Sequence, residues 1–193
     1  MKSPITDMPD FGTDGLKGLT EKQKQDLSNG NIIFSTSDSN SKEKGALIEA
    51  VVLFNLPIDK TWQILYKTED QNKYLDELDK IDVIKKEPNF DTLEFKVKVV
   101  FKTIVYRVIH NFEHSDYYMY WALDPSFKND LLELRGFWRL YTYEGNRTLA
   151  RYGSNVSIKN VPSFIENMFK KNGVEKSIKA IKKYVDSNGS YHK

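Results

Sequence analysis

The sequence predicts an α+β fold: a curved antiparallel β-sheet wrapped around a long C-terminal α-helix, with two short helices after the first core strand. Two periodicities and one excess carry this. Between Ile81 and Ile158 apolar residues recur with period two, in stretches separated by turn residues. After Pro162 the period becomes helical. The excess is aromatic: 11 Tyr, 11 Phe and 3 Trp in a chain whose mean hydropathy is −0.57. So many rings in a polar chain must line either a tight core or a cavity.

Each element has its own local reason. Thr20 followed by Gln23 has the form of a capping box, and Gly30 can stop the helix that begins there. Its apolar face is thin, made by Leu16, Leu19 and Leu27. Asn31 to Thr36 reads as a short strand, Ser35 to Lys44 as an exposed hairpin loop, and Ala46 to Phe54 as a strand pairing back on the first. Asn55-Leu56-Pro57 signals a helix start, and Ile58, Trp62 and Leu65 then share one helical face. A second short helix is expected over Gln71 to Asp79, with Tyr74, Leu75 and Leu78 on one side.

The sheet follows. Ile81 to Glu87 is a strand closed by Pro88-Asn89. Leu93, Phe95, Val97 and Val99 alternate with Glu94, Lys96 and Lys98, a half-buried strand. Thr103 to Glu113 places Ile104, Tyr106, Val108, His110 and Phe112 on one face. His114 to Asp116 turns, and Tyr117 to Leu123 returns. Leu132 to Leu140 alternates again, Gly145-Asn146 makes a hairpin turn, and Thr148 to Ile158 is the last strand. In the final helix Val161, Phe164, Ile165, Met168 and Phe169 form one stripe, and Val174, Ile178, Ile181 and Val185 another. At about 100° per residue the stripes are offset by roughly 130°, so a kink or break is expected at Asn172-Gly173.

Length and charge bound the organisation. The 193 residues suit one domain. Residues 1–18 are expected as a flexible N-terminal segment, 19–187 as a single domain (helix and hairpin 19–45, core 46–187), and 188–193 as a flexible tail. Lys plus Arg is 29 against 27 Asp plus Glu, a balance unlike that of a nucleic-acid binder. Without cysteine there is no disulfide framework, thiol catalysis or Cys-ligated metal. Met1 to Gly18 has no apolar run resembling a leader, so a cytoplasmic location is expected if the chain is complete.

The order of elements resembles the helix-grip fold of the START-like superfamily, also called SRPBCC. Val51-Val52-Leu53-Phe54-Asn55-Leu56-Pro57-Ile58-Asp59-Lys60-Thr61-Trp62 is similar to that family's first strand, proline and helix-borne Trp. Leu134-Arg135-Gly136-Phe137-Trp138-Arg139-Leu140 resembles its late strand, and Val161-Pro162-Ser163-Phe164 the start of its C-terminal helix. The resemblance spans about Gly30 to Val185 and is nearest the polyketide cyclase/dehydrase and coenzyme Q-binding group. The turn at Pro88-Asn89-Phe90-Asp91 holds no glycine, so the Gly-rich loop of the plant pathogenesis-related branch is missing, which argues against that branch.

The resemblance implies a hydrophobic cavity between sheet and long helix for a lipid, sterol, quinone or polyketide. The faces read from alternation converge on the same interior. The candidate ligand-binding residues are Phe95, Val97, Tyr106, Val108, His110, Tyr120, Leu134, Trp138, Tyr152, Phe164 and Met168. The tyrosine hydroxyls could meet a quinone or ketone oxygen, or bond to backbone. His110 and His114 lie four apart on a strand and its turn with no third ligand, so no metal is expected, and no cofactor motif appears. The lysines from Lys170 to Lys183 read as a solvated helix face, or as a surface for transient membrane contact. Three functions fit: a noncatalytic carrier of a hydrophobic small molecule, an aromatase/cyclase-type enzyme using His110 or a Tyr, and a protein-interaction module with a filled interior. Phe137, Tyr141 and Tyr143 fall on the outer face, which the cavity does not explain.

Overall fold

The computed structural model describes residues 10–37, 47–99, 102–157 and 171–193. Eight strands form one antiparallel sheet in the order β1-β2-β8-β7-β6-β5-β4-β3. They are β1 Ile33–Ser37, β2 Leu47–Phe54, β3 Leu78–Glu87, β4 Phe90–Val99, β5 Lys102–Glu113, β6 Tyr118–Leu123, β7 Glu133–Tyr143 and β8 Arg147–Ser157. Every neighbouring pair is antiparallel. Consecutive hairpins run from β3 to β8, and β2 then closes against β8. The curved antiparallel sheet with a C-terminal helix and short helices is the α+β, helix-grip architecture expected from the sequence.

Local chemistry sets the helices. α1, Glu21–Ser28, begins on Thr20, whose hydroxyl accepts from Gln23 N while Gln23 Oε1 accepts from Thr20 N. α2, Ile58–Leu65, follows Pro57 and buries Trp62 and Leu65. α3, Lys171–Asp186, buries Val174, Ile178, Ile181 and Val185, one of the two predicted stripes. From Lys171 onward it runs unbroken through Asn172 and Gly173. The Val161–Phe169 stripe, Phe164 and Met168 lie outside the described residues, as does most of the Ser35–Lys44 loop.

The second predicted helix, Gln71 to Asp79, takes a different form. A 3-10 turn occupies Thr68–Lys73, and β3 already starts at Leu78. Tyr74, Leu75 and Leu78 are still buried, so their apolar contacts form without a helical repeat. Leu75 N donates to Gln71 O and Leu78 N to Leu75 O, a chain of turns rather than an α-helix. On the edge strand β3, register shifts fall at Leu78/Lys80 and Val83/Lys85.

The described residues at both ends make specific contacts. Residues 10–18 pack on the outer face of the sheet, where Phe11 is buried with Tyr118, Tyr120 and Phe137. Arg151 holds this segment by donating Nε–H to Gly15 O at 2.6 Å and Nη2–H to Lys17 O at 2.8 Å. Its guanidinium also lies 4.6 Å over the Phe11 ring. Leu16, Leu19 and Leu27 complete a second outer cluster with Val51, Leu149, Tyr141 and Tyr143. At the other end Lys193 Nζ donates to Leu75 O and Leu78 O at 2.8 and 2.9 Å. The outer rings left unexplained by a cavity are thus covered by the chain's own N-terminal region.

Candidate functional site: a ring-lined cavity

Between the inner face of the sheet, the 68–78 turns and α3 lies a cavity of about 180 Å³. Its floor comes from alternate residues of β4 to β8. Phe95 and Val97, Tyr106, Val108 and His110, Leu134 and Trp138, and Tyr152 all line it. Leu65, Tyr74, Leu75 and Leu78 close one side, and Val174, Ile178 and Ile181 of α3 another. The register explains the convergence. Phe95 pairs with Tyr106, and Trp138 with Tyr152, and direct cross-strand partners share a face. Their rings meet at 5.2 Å and 4.8 Å between centroids.

Tyr120 is a correction to the sequence reading. It pairs with Asn111 and Phe137 and sits in the outer cluster with Phe11. Met119 and Trp121 point into the cavity in its place. The stretch Tyr-Tyr-Met-Tyr-Trp-Ala-Leu has no polar residue to mark its outer face, so alternation alone left its phase open.

A buried polar cluster stands in the wall. The Asp91 side chain is 0% exposed, and its Oδ1 lies 2.7 Å from His110 Nδ1. Its Oδ2 accepts a hydrogen bond from the Thr68 hydroxyl. Thr68 and His110 both reach the cavity. Asp91 thereby joins the 3-10 turn, β4 and β5 at one buried point. The sequence reading assigned Asp91 to a turn. Extending the β4 alternation back from Phe95 and Leu93 would have placed it inside, opposite His110, as the register does.

His114 is separately engaged. Its Nδ1 accepts from Trp62 Nε1 at 2.9 Å, and Nε2 lies 2.7 Å from Pro88 O. Because Trp donates only, Nδ1 is bare and Nε2 carries the proton to the carbonyl. Among the described residues no group of three or more His, Asp or Glu is placed to hold a metal.

The cavity tyrosines are kept protonated by desolvation. Burial, and then the neighbouring Tyr152, raise the Tyr106 hydroxyl far above its ordinary range. Burial pushes Tyr152 up to about 12, against a smaller opposing effect from its hydrogen bond with Ser154. Of the predicted lysine face, Lys176 pairs with Glu77 and Asp76 at 2.7 and 3.1 Å. Lys182 Nζ pairs with Asp186 at 2.7 Å and donates to Leu53 O. No described helix is long and apolar enough to cross a membrane.

No family model matches the sequence, and no curated protein matches it. Solved structures match in shape. A STAR-related lipid transfer protein from Xanthomonas axonopodis superposes with a TM-score of 0.62 at 10% identity, over 79% of this chain and 98% of that one. A Zhui aromatase/cyclase from Streptomyces sp. R1128 gives 0.61 at 12% identity, over 72% and 93%. A START superfamily protein from Mycobacterium smegmatis gives 0.60 at 13%, over 73% and 97%. At these identities the likeness is one of fold.

Proposed function

We propose that this chain, whose fold is START-like, binds a compact hydrophobic small molecule in the cavity between sheet and C-terminal helix, as a noncatalytic carrier or binding protein. The observation that carries the reading is the cavity itself: about 180 Å³ lined largely by rings, with the buried Asp91–His110–Thr68 cluster in its wall. Sites for drug-sized ligands run to roughly 300–1,000 Å³, and an apolar cavity of about 150 Å³ takes up benzene. The volume therefore favours one or two fused rings over a sterol or a long-chain lipid. Native mass spectrometry of gently purified protein should retain a bound compound, and fused-ring compounds should raise the melting temperature. No co-purifying compound together with no thermal shift would refute this reading.

A second reading, an aromatase/cyclase-type enzyme, is favoured by the contact between Asp91 and His110 at the cavity wall. An imidazole oriented by a carboxylate is a competent general base, and the cavity would supply proximity by folding a reactive chain. Turnover of a poly-ketone substrate that survives both His110→Ala and Tyr106→Phe would remove these residues from that role. An interaction module would need no open interior.

A further inference from the structure

We propose that the cavity selects a compact aromatic bearing a hydroxyl, and that His110 Nε2 is the acceptor for that hydroxyl. The inference rests on the small-molecule reading above and adds the ligand's polar chemistry. A carboxylate only accepts hydrogen bonds. Asp91 accepts one from the Thr68 hydroxyl, and its other oxygen lies 2.7 Å from His110 Nδ1. In the neutral imidazole Nδ1 therefore carries the proton, and Nε2 carries the lone pair. With Nδ1 committed to Asp91, a ligand meets His110 through Nε2. The ring is nearly enclosed, with its side chain 6% exposed, and it stands 6.3 Å from Phe95 and 6.0 Å from Trp121 between centroids.

An acceptor among rings discriminates. A phenolic hydroxyl satisfies it while its ring fills the apolar space. A purely apolar isostere leaves it unmet and desolvated, which is the more costly outcome. At Nε2 a ketone or quinone oxygen would set a lone pair against a lone pair. Asp91 and Thr68 are positioning residues: they fix the tautomer without touching the ligand.

The test compares 2-naphthol, 2-methoxynaphthalene and naphthalene by equilibrium dialysis against the full chain. The wild type should bind 2-naphthol on the order of tenfold tighter than the other two, the worth of one good hydrogen bond. His110→Phe should bring the three dissociation constants together. His110→Gln should keep part of the preference, because its amide can donate to Asp91 and accept from the ligand. Equal affinities in the wild type, or a preference that survives His110→Phe, would overturn the inference and leave cavity binding standing. If His110→Phe does not fold, the wild-type comparison and His110→Gln decide. Failure of all three compounds to bind would overturn cavity binding, and this inference with it.

Discussion

Two glycines on adjacent strands, one on each face of the sheet, allow the cavity wall to be perturbed with a matched control. Gly136 pairs with Trp121, and a Cβ there would stand 2.3 Å from Trp121 Cζ2 and 2.6 Å from Gly153 O. Gly153 pairs with Phe137, and its Cβ would stand 2.3 Å from Phe137 Cε1 on the outer face. Carbon contacts are optimal at about 3.5–4.0 Å, so each alanine forces a movement of roughly 1 Å or more. At Gly136 one obstacle is the backbone of the neighbouring strand, and the other is a ring that lines the cavity. At Gly153 all three near atoms belong to the Phe137 side chain. Overpacking costs about 1–3 kcal/mol, and alanine's lower unfolded-state entropy returns about 0.4–1 kcal/mol. Because one obstacle is backbone, Gly136→Ala falls at the upper end of that range and should lose about 2 kcal/mol in urea denaturation, or about 4–8 °C in melting temperature for a chain of this size. It should also weaken naphthalene binding, because Trp121 is displaced. Gly153→Ala should lose less and leave binding unchanged. A Gly136→Ala protein within 0.5 kcal/mol of wild type, or equal binding losses in both variants, would refute this account of the sheet.

Phe11→Ala should cost about 3–5 kcal/mol, the usual range for truncating a buried Phe, since its ring is 7% exposed and packs 5.9 Å from Phe137. The check is a lower urea midpoint with an unchanged slope. Arg151→Leu should free residues 10–18, speeding tryptic cleavage after Lys17, and Arg151→Lys should not restore protection because an ammonium lacks the fork that spans Gly15 O and Lys17 O. Alkaline stability should follow the buried tyrosines. Tyr152 keeps its proton up to about 12 when folded because it is buried, whereas the unfolded chain releases it near 10. Tyr184, raised to about 12 by burial and then by its hydrogen bond to Asp70, acts in the same direction. The stability these groups contribute is complete below about pH 10 and is lost as pH rises toward 12. Urea midpoints from pH 9 to 12 should fall, and Tyr152→Phe should flatten the fall.

What was legible in the sequence depended on contrast between neighbouring residues. β4 and β5 alternate charge with apolar side chains, so Phe95, Val97, Tyr106, Val108 and His110 were placed inside correctly. β6 offers no such contrast, and Tyr120 was placed on the wrong face. The Thr68–Lys73 segment is wholly polar, so nothing local announces that Thr68 is buried; the partner that buries it, Asp91, is 23 residues away in sequence. The same holds for residues 10–18. Their apolar content is one Phe and one Leu, too little to predict a docked segment. Docking there requires Arg151, whose alternation marks it as an outward and therefore solvated residue.

The two-faced use of rings has an energetic logic. Rings on the concave face line a space of about 180 Å³ that opens partly to solvent. Rings on the convex face are covered. Phe11, Tyr118, Tyr120 and Phe137 pack there against one another, and Leu16, Leu19, Leu27, Val51 and Leu149 beside them. Fully burying one large apolar side chain is worth about 1.5–3 kcal/mol, so Phe11 and Leu27, packed on the back of the sheet, stabilise the same strands whose front lines the cavity.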